Sequence, residues 1–148
     1  LMNMKELRNV HLAEHFLYLL NKYHFDCVAP DQDYLNSMCY GKIEYLDSCW
    51  DAMPNRNKPE IENPKIIHYN LFDKPWCYDD IQYQDYFWEY AKQSVYYDKI
   101  KAYKAAYTDK QKEDDHAHLL DLFRRAGTNA DTEVTFRKVL ESGEKVRL

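Results

Sequence analysis

A chain of 148 residues fits one domain and can bury roughly two-thirds of its unfolded surface, so a real core is within reach. The net charge of −5 and the pI of about 5.7 argue against nucleic acid as a partner, because polyanion binding needs clustered cations. Only three glycines occur (Gly41, Gly127, Gly143), none beside another, which excludes both a P-loop and a dinucleotide-binding glycine motif.

In chain order, Leu1-Met2-Asn3-Met4 has a strand-like pattern that opens abruptly, as if inside a longer protein. Val10, Leu12, Ala13, Phe16, Leu17, Leu19, Leu20 and Tyr23 then recur with helical spacing, predicting a helix over 9–23 with Asn9 as its N-cap. After Pro30, Asp31 to Asn36 open a short helix with carboxylates near its free N–H groups. Lys42 to Leu46 alternates like a strand, Met53 to Pro64 reads as a loop, and Lys65 to Tyr69 is a short β-branched run that puts His68 at a strand end.

Asp80 to Tyr97 reads as a helix. Thr108 to His118 is a charge run, Leu119 to Phe123 is amphipathic, and Thr128-Asn129-Ala130-Asp131 caps a last helix that runs to about Leu140. The aromatic content, with 14 Tyr, 6 Phe and 3 Trp, suits cores, interfaces and the faces of sugar rings. Cys27, Cys39, Cys49 and Cys77 are too widely spaced for a C-x-x-C pair and follow no secretory leader, so four reduced thiols in a cytoplasmic protein are expected. No apolar run approaches the roughly 20 residues that span a bilayer, which leaves peripheral membrane association open.

Two segments carry the chemistry. Pro30-Asp31-Gln32-Asp33-Tyr34-Leu35-Asn36, followed by His68-Tyr69-Asn70-Leu71-Phe72-Asp73-Lys74-Pro75-Trp76, resembles glycosyltransferase family 8, which contains glycogenin and the lipopolysaccharide galactosyl- and glucosyltransferases. The resemblance covers about residues 1–100, as the C-terminal part of a catalytic domain, and leaves 101–148 as a helical tail. It implies an α/β fold, the C-terminal portion of a GT-A-type Rossmann-like nucleotide-diphospho-sugar transferase. The half that carries the Asp-x-Asp metal motif in this family is not among these residues, so the fragment alone is expected to be inactive.

The resemblance also implies roles, residue by residue. His68 matches a ligand of the divalent cation, usually Mn2+, and Lys74 matches the lysine that contacts the donor diphosphate. Asp31 matches the acid that bonds donor-sugar hydroxyls, and Gln32 the residue near the anomeric carbon on the face opposite the nucleotide. Trp76 is read as packing that fixes the Lys74-Pro75 turn. Many relatives carry Gly where Leu71 stands, and Gly there lets the backbone approach phosphate closely. The implied reaction is retaining transfer of glucose or galactose from a UDP-sugar to a glycan or glycolipid acceptor, in lipopolysaccharide or polysaccharide biosynthesis.

Taken separately, Asp31 to Asn36 is an ordinary helix start and His68 to Trp76 an ordinary strand-to-turn junction. Their joint occurrence favours the family. A rival lies in His11-Leu12-Ala13-Glu14-His15, which fits the H-x-x-E-H pattern of a zinc peptidase, with His11 and His15 on one helical face. His116 and His118, two residues apart, diverge around a helix and read as a solvated charged face. Tyr83, Tyr86, Phe87, Trp88 and Tyr90 read as packing in preference to a sugar-stacking or membrane-facing patch. A non-enzymatic reading, an interaction module or homo-oligomerisation module, also stands.

Overall fold

The computed structural model describes residues 2–148. The described residues form seven α-helices and one 3-10 turn: α1 Met4–Asn9, α2 Leu12–Tyr23, α3 Pro30–Met38, the turn Ser48–Asp51, α4 Gln84–Ala91, α5 Tyr97–Ala105, α6 Asp109–Asn129 and α7 Phe136–Glu141. The expected α/β Rossmann-like architecture is overturned: among the described residues there is no sheet, and the β pairing is one isolated parallel bridge between Ala52 and Ile67. An alternating run becomes a strand only beside a partner. Lys42 to Leu46 has none among the described residues, and Tyr45 is 87 % exposed. Lys65 to Tyr69 instead spends its N–H groups on the turn before it, Lys65 on the Cys49 carbonyl at 2.7 Å and His68 on the Ala52 carbonyl at 2.9 Å.

Two compact units divide the chain, one made of residues up to Glu44 with Asp121–Leu148, the other of Tyr45–Leu120. In the first, Leu12, Phe16, Leu19 and Tyr23 repeat every three or four residues along α2 and face the core. Tyr34 and Met38, one turn apart on α3, complete the opposite wall. The core closes with Phe25, Val139 and Val146. Phe136 of α7 stacks on Phe25 with centroids 3.9 Å apart and meets Tyr34 edge-on at 4.9 Å. Leu19 and Met38 are fully enclosed and contribute about 1.5–3 kcal/mol each.

Helix boundaries differ from the sequence reading for local reasons. Leu1 of the opening strand-like run lies outside the described residues, and Met4 starts a helix capped by the Asn3 side chain. Asn9 therefore ends α1, and His11, in the left-handed region, precedes α2. The charge run of α6 continues helical to Asn129, helped by the pairs Lys110–Asp114 and Arg124–Asp121. The cap of the last helix is accordingly Thr135, whose hydroxyl accepts from the Lys138 N–H.

The second unit is held differently. Between residues 80 and 97 the helix is interrupted, because Tyr83 takes φ +62° and α4 starts only after it. Tyr83 is tied on three sides. Its N–H donates to Glu60 Oε1 at 3.0 Å, its hydroxyl accepts from the Ile61 N–H at 2.7 Å, and its carbonyl accepts from the Tyr69 hydroxyl at 2.5 Å. Lys104 of α5 ties another loop, donating to the carbonyls of Pro75 at 2.9 Å and Tyr78 at 2.7 Å and pairing with Asp79.

Candidate functional site

Asp31 and Gln32 lie in the first turn of α3, both exposed. Pro30 at the first helical position has no N–H to leave unpaired, and its ring presets the helical φ. Asp33 is committed to architecture: its Oδ2 accepts from the N–H groups of Val28 at 3.0 Å and Ala29 at 3.1 Å, as the acid of a capping box reaches back. The side chains of Asp31 and Gln32 make no hydrogen bond or ion pair among the described residues. Asp31 stands beside an apolar cleft of about 430 Å³ walled by Leu12, Phe16, Leu17 and Leu35. One carboxylate thus builds the helix start and its neighbour remains uncommitted.

His68 is placed by the parallel bridge, in which the Ala52 N–H bonds to Ile66 and the His68 N–H bonds back to Ala52. Its ring Nδ1 lies 3.2 Å from Oδ1 of Asp51, the last residue of the 3-10 turn, and both side chains are about half exposed. A neutral ring that donates Nδ1–H to Asp51 keeps its Nε2 lone pair open, the arrangement of a carboxylate-oriented metal ligand. No group of three or more His, Cys, Asp and Glu able to hold a cation occurs among the described residues. His68 therefore fits a divalent cation as a single oriented ligand, and the described residues do not complete the set.

Lys74 closes its own loop. Its ammonium donates to the Tyr69 carbonyl and lies 5.5 Å from the centroid of the Trp76 ring. Trp76 in turn packs on Phe87 at 4.9 Å and meets Tyr69 at 6.1 Å. Leu71, between His68 and Lys74, holds φ +41°, the left-handed backbone that glycine adopts without cost. The loop therefore keeps a glycine-like conformation at this position despite the leucine side chain.

Sequence reasoning missed Tyr69 and Tyr83 as the hub under this loop. Burial pushes the Tyr69 phenol up to about 12, so it stays a protonated donor to the Tyr83 carbonyl. The pattern of aromatics did contain a signal: Tyr83 is buried, Phe87 and Trp88 are half-buried, and Tyr86 and Tyr90 are exposed. Nothing in the spacing could show that the Tyr83 hydroxyl meets a backbone N–H of Ile61, more than 20 residues earlier.

The zinc-peptidase pattern does not assemble. His11 sits outside α2 and pairs with Glu14 at 3.5 Å, and His15 Nε2 bonds to the Val146 carbonyl at 2.9 Å, where a ligand lone pair would be needed. All four cysteines are free thiols, and no helix among the described residues is long and apolar enough to cross a membrane. Asp31 and Gln32 belong to the first compact unit, His68 and Lys74 to the second.

Comparison with known proteins gives one family. The model of Glycosyl transferase family 8 matches residues 1–80, more than half of the 148. Asp31, Gln32, His68, Lys74 and Trp76 all fall inside the match. No curated protein and no solved structure matches the chain.

Proposed function

Since the chain belongs to glycosyl transferase family 8, we propose that it takes part in retaining transfer of a hexose, glucose or galactose, from a UDP-sugar to a glycan or glycolipid acceptor. The observation that carries this reading is the division of labour on α3: Asp33 holds the helix start and leaves Asp31 and Gln32 exposed and unpartnered. Asp31 then accepts from hydroxyls of the donor sugar. Gln32 lies against the anomeric carbon opposite the nucleotide; a carboxamide is a poor nucleophile, so its part is to orient the sugar and to steady positive charge on the ring. The acceptor oxygen forms its bond to the anomeric carbon on the face from which the diphosphate departs. Its proton passes to the departing phosphate oxygen.

Lys74 addresses the diphosphate, exchanging the Tyr69 carbonyl for phosphate oxygens, and its fixed charge stabilises the negative charge that grows there. A divalent cation, manganese in this reading, would supply further neutralisation of the leaving group, with His68 as one ligand oriented by Asp51. This reading takes the other ligands of that cation to be carboxylates, as in the Asp-x-Asp motif of the family, and no complete ligand set occurs among the described residues. Manganese and peripheral membrane association belong to this proposal together with the cytoplasmic setting.

The test is the stereochemistry of transfer by the full-length polypeptide. With UDP-glucose or UDP-galactose and a saccharide acceptor, proton NMR of the new glycoside should show the α configuration of the donor. A β product, or no transfer with either donor, contradicts the reading.

A further inference from the structure

α6 begins beyond the family match, and its His116 and His118, beside Glu113, Asp114 and Asp115, read from sequence as a solvated charged face. Both histidines are exposed, and one stripe of the helix also borders a cleft. Lys112, Asp115, His116 and Leu119 are spaced i, i+3, i+4 and i+7, which puts them on one side of the helix. That side lines a cleft of about 370 Å³ inside the unit Tyr45–Leu120. The facing wall comes from residues within the family match: Arg56, Tyr78 and the pair Phe72-Asp73 that leads into Lys74.

We propose that this cleft is a subsite for a neutral saccharide, the acceptor in the transfer described above, and that α6 sets its specificity. The acceptor role rests on the transferase reading; saccharide binding does not. Three observations carry it. Asp115 is held in place before any ligand arrives, because the hydroxyls of Tyr78 at 2.7 Å and Tyr107 at 2.6 Å both donate to its Oδ2. Its Oδ1 accepts no bond among the described residues, so a fixed acceptor remains for a sugar hydroxyl. The hydrogen bond to the Asp115 carboxylate and burial both push the Tyr107 phenol well above its ordinary range, which keeps this clasp protonated.

Second, Arg56 has no hydrogen-bond or ion-pair partner among the described residues, and its five N–H donors are uncommitted. With Lys112 it balances the carboxylates Asp73 and Asp115, so the cleft has no net sign that would select a polyanion. It offers both donors and acceptors, which is what hydroxyl groups require. Third, Phe72 and Leu119 add apolar wall for the C–H face of a sugar ring.

Saturation-transfer NMR on the full chain tests this without nucleotide or metal, with lactose, maltose, methyl α-glucoside and inorganic phosphate as probes. At least one of the three saccharides should receive saturation, and Asp115→Asn and Arg56→Ala should each raise its apparent Kd about tenfold. Arg56 is exposed and unpartnered, so its variant keeps the fold and shows whether the loss at Asp115 is more than misfolding. Absence of transfer from all three saccharides, an unchanged Kd in both variants, or displacement of the saccharide by phosphate overturns the proposal. A separate titration of UDP with manganese into the full-length polypeptide reports on the donor site alone, so failure there leaves the cleft standing.

Discussion

The two compact units reach order by different means. The unit that carries Asp31 and Gln32 is organised around an aromatic and aliphatic core in which Leu19, Tyr34, Met38 and Val146 are almost wholly enclosed. The unit that carries His68 and Lys74 buries Ala52 and Ala91 together with Ile81 and Tyr83, and its loops are pinned by polar side chains bonded to backbone, above all Tyr83 and Lys104. A helix start that presents Asp31 needs a rigid floor. On the proposed reading, in which Lys74 exchanges the Tyr69 carbonyl for phosphate, bonds that can be traded one at a time suit this loop.

This contrast can be broken by substitution. Leu19→Ala removes a side chain at 0 % exposure and should cost about 2–5 kcal/mol in urea unfolding followed by the signals of α2 and α3. A cost below about 1 kcal/mol would mean the first unit does not depend on its core. Lys104→Met strands the Pro75 and Tyr78 carbonyls and should cost about 1.5–3 kcal/mol. Amide exchange should rise in residues 74–79 if the polar tie is what orders that loop; unchanged protection there would assign its order to packing instead.

A smaller effect of opposite sign is expected at Leu71. Left-handed backbone costs a non-glycine residue about 1–2 kcal/mol, and glycine gives back roughly 0.5–1 kcal/mol through the looser unfolded chain. Leu71→Gly should therefore stabilise the protein by about 0.5–1 kcal/mol in thermal unfolding, and a loss would place the leucine side chain in a packing role. The smallest effect is in the first unit, where burial and then the Asp33 carboxylate push the Cys27 thiol from 9.0 up to about 11. A raised folded value leaves its contribution intact below pH 9.0 and removes it as pH rises toward about 11. Slow alkylation of Cys27 at pH 9 and a decline in stability above it are expected; rapid alkylation would show an exposed, ordinary thiol.

The sequence was legible where the signal is local. The apolar stripe of α2 and the Pro30-Asp31 start of α3 are set by residues within one or two turns, and both helices are present. Lys42 to Leu46 misled because alternation states what a strand would bury and not whether a partner exists. The site divided in the same way. Asp31 and Gln32 could be placed on a helix start, but the orientation of His68 by Asp51 depends on a bond across 17 residues. The Asp115 clasp, made by Tyr78 and Tyr107 from separate elements, left no periodic trace. The stripe of α6 was visible in principle at i, i+3, i+4 and i+7, but a charged stripe reads alike whether it meets water or a cleft.

The most direct test of the account is manganese-dependent transfer of hexose from a UDP-sugar by the full-length polypeptide, compared between wild type and His68→Ala. Loss of an oriented metal ligand should lower turnover at limiting manganese by about 100-fold, with the fold intact by circular dichroism. Unchanged turnover with unchanged manganese dependence would contradict the central claim that His68, set by Asp51, serves the departing diphosphate.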